Sequence, residues 1–241
     1  GLEVLRRLAE EGTPPVTIRL VDWADEEGAR FGRSLFGSSA ASATMNPDDL
    51  RDLKDKDGIK LTDALAKFGV NVDTAKQAHK QLQNAVAYLE LHIEQGPVLE
   101  SLNLPLGVVL GTFGVERHSI RFTGQAAHSG STPMDKRKDA LGGVSKLHLA
   151  IRELAVKHGG VGTVGRVETK PGIVTSVVAD ALMTLDQRHL DAEGLAAMYH
   201  GAIEASKRIA QEEKIEVEWN KLWDIHPILF HTDLIELCHQ A

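Results

Sequence analysis

Two stretches carry the side chains with which this sequence could do chemistry. In Leu89-Glu90-Leu91-His92-Ile93-Glu94, apolar residues alternate with Glu90, His92 and Glu94. Alternation is the period-two signal of a strand, and residues two apart share a face, so an imidazole stands between two carboxylates. Gly96-Pro97 stops the run, because proline has no amide to donate and glycine frees the turn. Such a set suits ligation or proton transfer, although a histidine on a strand is more often hydrogen-bonded structure than a ligand. The second stretch is Asp25-Glu26-Glu27-Gly28, directly after an apolar run over residues 16–23 that reads as a buried strand apart from Arg19. Its carboxylates fit either an acidic first helical turn or the C-terminal edge of a strand, where open α/β sheets place ligands. His128 lies in a loop of Ala126, Ala127, Ser129, Gly130 and Ser131, whose small side chains permit close approach by a ligand or another chain. Arg188 ends a long strand-like run, where an arginine is more often a solvated charge or half of a salt bridge.

The elements that must position these groups fall into two patterns. Residues 2–8 are helix-like, 12–15 a turn, and 30–43 a glycine-, serine- and alanine-rich segment anchored by Phe31, Leu35 and Phe36. Residues 48–82 are polar and helical in pieces. From about Leu106 the pattern changes. Residues 115–123 alternate, and 135–158 carry Leu141, Val144, Leu147, Ile151 and Leu154 at helical spacing. Thr132 as N-cap, Pro133 as first helical residue and Asp135 in the first turn mark the expected start, and Gly159-Gly160 the end. Strands over 162–168 and 176–188, a helix over 192–213 and a last alternating run through Ile215, Val217 and Trp219 follow. The order β-α-β-β-α-β is that of a ferredoxin-like sandwich. A different pattern resumes at Pro227. The sandwich, residues 107–224, therefore reads as inserted into a domain formed by 1–106 and 225–241.

Composition narrows the function classes. With 241 residues, 42% of them hydrophobic and 25% charged, the chain can build one large core or two ordinary ones. A net charge of −7 without a long basic run argues against nucleic acid and anionic membrane surfaces as partners. No apolar stretch approaches the length of a spanning helix, and the N-terminus lacks a signal-peptide layout. The single cysteine, Cys238, rules out an internal disulfide and removes cysteine clusters from any metal site. A cytoplasmic setting is the expectation. The chain opens at Gly1 directly into a helix-like run and closes in another, as if cut from a longer protein.

Three motifs, Asp25-Glu26-Glu27-Gly28-Ala29-Arg30-Phe31, Leu91-His92-Ile93-Glu94-Gln95-Gly96-Pro97 and Gly124-Gln125-Ala126-Ala127-His128-Ser129-Gly130-Ser131-Thr132-Pro133-Met134, give the chain a family likeness. In this order they resemble the dinuclear-metal amidohydrolases related to peptidase family M20, and within them the hydantoinase/carbamoylase branch. That branch holds N-carbamoyl-L-amino acid hydrolases, β-ureidopropionases and allantoate amidohydrolases. The resemblance implies an α/β fold: a partial M20-type mixed-sheet metallohydrolase domain with the sandwich as an inserted lid and dimerisation domain.

By the same resemblance Glu27 and His92 are ligands, one to each of two divalent ions, and the ligand types suit Zn²⁺, Mn²⁺, Co²⁺ or Ni²⁺. Glu26 is the implied general base. His128 is the implied oxyanion donor, supplied across a homodimer interface. Arg188 grips the substrate carboxylate with its forked guanidinium, and Gln95 also touches substrate, which requires the strand to break before Gly96. Ser176 stands where many relatives have a substrate-contacting asparagine, which weakens an allantoate-specific reading. The resemblance places a metal histidine and a bridging aspartate before Gly1 and another metal histidine after Ala241. This chain alone is therefore expected to bind metal poorly and hydrolyse nothing. The expected parent activity is removal of a carbamoyl group from N-carbamoyl-L-amino acids. The alternatives are β-ureidopropionate or allantoate as substrate, or a non-catalytic dimerisation and binding module.

Overall fold

The computed structural model describes residues 1–241 as two compact units, residues 1–93 and 94–241. The first unit is built from short helices: α1 (Leu2–Glu11), α2 (Phe36–Ala41), α3 (Leu61–Ala66) and 3-10 turns at Pro47–Asp49 and Val72–Gln81. Its core gathers Phe31, Phe36, Ala40, Met45, Leu50, Leu61, Ala64 and Val72. The two 3-10 turns start where an asparagine oxygen accepts an amide: Asn46 from Asp48 at 3.3 Å and Asn71 from Asp73 at 2.8 Å. Leu35 departs from its expected anchoring role. It adopts a left-handed φ of 59° at the N-cap of α2, which turns its side chain out of the core to solvent.

The strands expected over residues 16–23 and 88–95 do not form. Both segments are irregular: no ladder pairs with either one and the first unit contains no strand. Alternation specifies which face a strand would bury, yet hydrogen-bonded neighbours make the strand. Without them Val16, Ile18, Leu20, Leu89 and Leu91 stay exposed.

The second unit runs α4 (Val98–Ser101), β1 (Gly111–Thr112), β2 (Gly114–Thr123), β3 (Ala127–His128), α5 (Ala140–His158), β4 (Val161–Lys170), β5 (Ser176–Val177), β6 (Asp180–His189), α6 (Ala192–Glu213), β7 (Glu216–Ile225), β8 (Ile228–Leu229) and α7 (Thr232–Gln240). Four long strands form one antiparallel sheet in the order β4-β6-β2-β7, the ferredoxin-like arrangement. The helix α5 starts later than the sequence suggests. Residues Met134–Lys136 form only a 3-10 turn, Gln125 then donates its amide to the Lys138 carbonyl at 2.9 Å, and Asp139 caps the helix through the Leu141 amide at 3.0 Å. Its end is as expected, with Gly159 left-handed at φ 73°.

Alternation sorts the sheet into two faces. Ile120, Phe122, Ala181, Met183 and Leu185 pack against Val144, Leu147 and Ile151 of α5 and Ala202 and Ile209 of α6. Full burial of each large apolar side chain contributes about 1.5–3 kcal/mol. Helix and sheet come close because residue 143 is glycine: a Cβ there would lie 2.9 Å from the Phe122 ring. The opposite face carries Arg117, Ser119, Arg121, Asp186 and Arg188 and has no helix over it. The β2–β7 register shifts between Arg117 and His118, so that Arg117 pairs with Trp223 while His118 pairs with Lys221. Such a bulge re-aims side chains.

Candidate functional site

The acidic motif sits on a tightly folded loop. Asp25 is left-handed at φ 48° and Gly28 at φ 65°. The carbonyls of Ala24 and Glu26 accept the amides of Gly37 and Leu35 at 2.9 and 2.7 Å, tying the loop to the start of α2. Gly28 is required there, since a Cβ would lie 2.4 Å from the Arg33 backbone carbon. The loop leaves Glu26 and Glu27 exposed while Gly28 is buried. The groups expected to react are thus held by backbone bonds, and their side chains stay accessible.

His92 is also exposed, and its Nδ1 lies 2.5 Å from the carbonyl of Ile93. A ring that donates there keeps its Nε2 lone pair outward, the tautomer that metal-ligating histidines use. The flanking carboxylates have local employment. Glu90 accepts from the Tyr88 hydroxyl, and Glu94 accepts the amides of Val98 and Leu99 at 2.9 and 3.0 Å, capping α4. No group of three or more His, Cys, Asp or Glu side chains gathers in a way that could hold a metal ion. Glu27 and His92 are suitable donors singly, but the residues of this chain do not fit a metal centre by themselves, and no chemical step is routed through one.

The second unit holds the other expected residues. Gln95 adopts a left-handed φ of 55° directly before Gly96, at the end of a segment that forms no strand. His128 closes β3, opposite Ser176 of β5. Its Nδ1 accepts the Gly130 amide at 3.2 Å, which in the neutral ring leaves the proton on Nε2, and the residue is exposed. Arg137, which sequence reasoning missed, braces this loop: its guanidinium donates to the carbonyls of Ser129 at 2.7 Å and Thr132 at 3.1 Å.

Arg188 lies on the helix-free face of the sheet, with Nε 2.7 Å from Asp186 Oδ1 and Nη2 3.2 Å from Oδ2. Asp186 also accepts from Arg117 Nε at 2.6 Å. Burial raises the Asp186 pKa, but the hydrogen bonds from Arg188 and Arg117 outweigh it and hold the carboxyl below its usual range. The hydrogen bond to Asp186 raises the Arg188 pKa against its desolvation. Two clefts of about 300 and 240 Å³ lie in this unit, and none of the expected site residues lines either of them.

The whole chain, residues 1–241, matches the model of peptidase family M20/M25/M40, and the chain belongs to that family. Within it, the sequence is 35% identical over 233 residues to an N-carbamoyl-L-amino acid amidohydrolase of Geobacillus stearothermophilus, covering 95% of this chain and 56% of that protein. It is 33% identical over 235 residues to the allantoate amidohydrolase of Escherichia coli strain K12, covering 95% of this chain and 57% of the relative. Among solved structures it is similar to a hydantoinase/carbamoylase family amidase from Burkholderia ambifaria, with a TM-score of 0.80 and 31% identity over 91% of this chain and 53% of that one. The chain spans about half the length of the curated relatives it matches.

Proposed function

We propose that this chain contributes the acidic loop, the imidazole segment and the lid of an amidohydrolase that cleaves the ureido C–N bond of N-carbamoyl-L-amino acids. The observation that carries the reading is the presentation of His128. Its loop is fixed by Arg137 and by the β3–β5 pairing, and the Gly130 amide occupies Nδ1, which leaves Nε2 of the exposed ring free to donate. That is the form needed to donate to a developing oxyanion, a contact typically worth about 10²–10³ in turnover. Glu26 takes the proton of the attacking water and returns it to the leaving nitrogen. The carbonyl carbon gains oxygen and loses the amino acid, and the released carbamate decomposes to carbon dioxide and ammonia. Arg188 and Gln95 hold the substrate.

The lid is residues 107–224 and the catalytic domain 1–106 with 225–241, the lids pairing in a homodimer. Two divalent ions belong to the complete enzyme, with Glu27 and His92 among their ligands. Support comes from the two relatives named amidohydrolases and from the three motifs. Ammonia release from N-carbamoyl-α-amino acids, N-carbamoyl-β-alanine and allantoate by the complete protein is the test. Preference for the first supports the reading, preference for allantoate replaces it with the second relative's activity, and release from none of them, without bound metal, leaves a binding module.

A further inference from the structure

On the open sheet face, one carboxylate engages two arginines, and the way it does so assigns it a task. Asp186 occupies the Nε–Nη2 edge of Arg188 at 2.7 and 3.2 Å, and Nη1 of Arg188 makes no hydrogen bond. Guanidinium offers a carboxylate two forks, one along its side and one at its end. Here the side fork is taken from within the strand, and Nη1 of the end fork is left without a partner on a side chain that is partly exposed. Residues 186 and 188 lie two apart on β6, so the pair forms within one strand and needs no further element to bring it together. Left alone, such a pair would cancel the charge that an incoming anion is meant to meet. Arg117 changes that balance. It lies opposite Asp186 on β2, bonds the same carboxylate through Nε at 2.6 Å and stacks 4.9 Å from the centre of the Trp223 ring. Trp223 reaches that position through the register shift in β7. Two guanidiniums against one carboxylate leave a net positive, half-exposed patch, with Nη1 of Arg188 and both Nη groups of Arg117 free to donate.

We propose that Asp186 is the positioning residue for Arg188, and that Arg117, stacked on Trp223, keeps the patch cationic so that the end fork of Arg188 can receive a substrate carboxylate. The proposal rests on the reading of Arg188 as the carboxylate-binding residue. Asp186 touches no substrate in this arrangement and acts through the arginine that it orients.

The test compares an N-carbamoyl-L-amino acid with its uncharged N-carbamoyl amino acid amide in the complete protein, for Arg188→Gln, Asp186→Asn and Arg117→Gln. Asp186→Asn should raise KM for the carboxylate substrate about tenfold or more, with kcat little changed, and leave KM for the amide unaltered, because a charged hydrogen bond is lost only where the substrate bears a charge. Arg117→Gln should raise the same KM about threefold with the same selectivity. A merely structural role would move both substrates together. If Arg188→Gln affects both substrates equally, the underlying assignment of Arg188 fails. If Arg188→Gln is selective for the carboxylate while Asp186→Asn and Arg117→Gln are not, the positioning role fails and the Arg188 assignment stands. Should Asp186→Asn not fold, the selectivity of Arg117→Gln decides.

Discussion

Trp23 donates its indole Nε1–H to the hydroxyl of Tyr88 at 3.0 Å, with the two rings 6.3 Å apart. Trp23 stands four residues before Glu27, and Tyr88 four before His92. Neither flanking segment belongs to a strand, so this bond and the one from Arg19 to the Gln81 carbonyl at 2.7 Å link stretches that no ladder joins. Tyr88→Phe removes the Trp23 bond and the one from the hydroxyl to Glu90, and should destabilise the first unit by about 1–3 kcal/mol, as expected for one neutral hydrogen bond and one to a charged group. Amide exchange over residues 88–93 should quicken by more than in the sandwich. Unchanged exchange there would mean that the pair does not hold the segment.

Glu26→Gln in the complete protein keeps the shape of the side chain and removes its basicity. Turnover should fall by about 10²–10⁴ while bound metal stays the same. Undiminished ammonia release at equal metal content would remove Glu26 from the reaction.

Gly28→Ala places a Cβ against the Arg33 backbone at a left-handed φ. We expect a loss of about 1–3 kcal/mol in stability, with turnover reduced further as the neighbouring carboxylates shift. A thermal melt beside an ammonia assay checks both outcomes.

Arg137→Gln should lower kcat through His128 without touching the reacting groups, because two carbonyls of the His128 loop lose a charged donor. A fall of about tenfold is expected, and none when it is combined with His128→Ala. Full additivity of the two changes would show that Arg137 acts elsewhere.

His118 supplies a pH dependence. It is buried between Tyr199, stacked at 4.8 Å, and Trp219, edge-on at 5.3 Å, and neither ring nitrogen has a partner. Burial and then the Lys221 charge lower its pKa below 6.5, against the opposing pull of Asp224. The unfolded chain therefore binds the proton more readily, and stability falls as pH drops from about 6.5 toward the lowered folded value. Glu116, with its Oε2 3.6 Å from His118 Nε2, is shifted the other way: burial chiefly raises its pKa, so below that raised value it gains protons and favours the fold. Around them stand Lys221 and Asp224 on β7 and Tyr199 and His200 on α6, with His226 close by. Denaturation midpoints between pH 7.5 and 5.5 should fall in the native chain and flatten in His118→Gln.

The sandwich was legible because each of its elements carries its own reason to form. Leu147 and Ile151, Leu195 and Met198, and Ile120 and Phe122 show their periods directly, and all of them are buried within the unit that contains them. Residues 16–23 and 88–95 show equally clear alternation, but a strand needs neighbours that local pattern cannot supply. The start of α5 misled for a similar reason: Thr132-Pro133 has good capping chemistry, yet the tertiary bond from Gln125 to Lys138 prevailed. In the candidate site, residue type and motif nominate Glu26, Glu27, His92, Gln95, His128 and Arg188, and no group of three or more metal-ligating side chains gathers around them. The brace on Arg188 was within reach, because Asp186 shares its face two positions earlier. Arg137 had no such signal, since its partners are carbonyls of a loop whose path the sequence does not reveal.

The ends of the sandwich meet. Gly111 pairs with Leu229 and Thr112 with Ile228, and Phe230 donates its amide to Leu110 at 3.0 Å. The polypeptide therefore enters and leaves this module through one narrow ribbon, as a pouch hangs from a drawstring. A piece attached in that way can be exchanged for another of different size, or trimmed to a short link between residues 110 and 230, without rethreading whatever it hangs from.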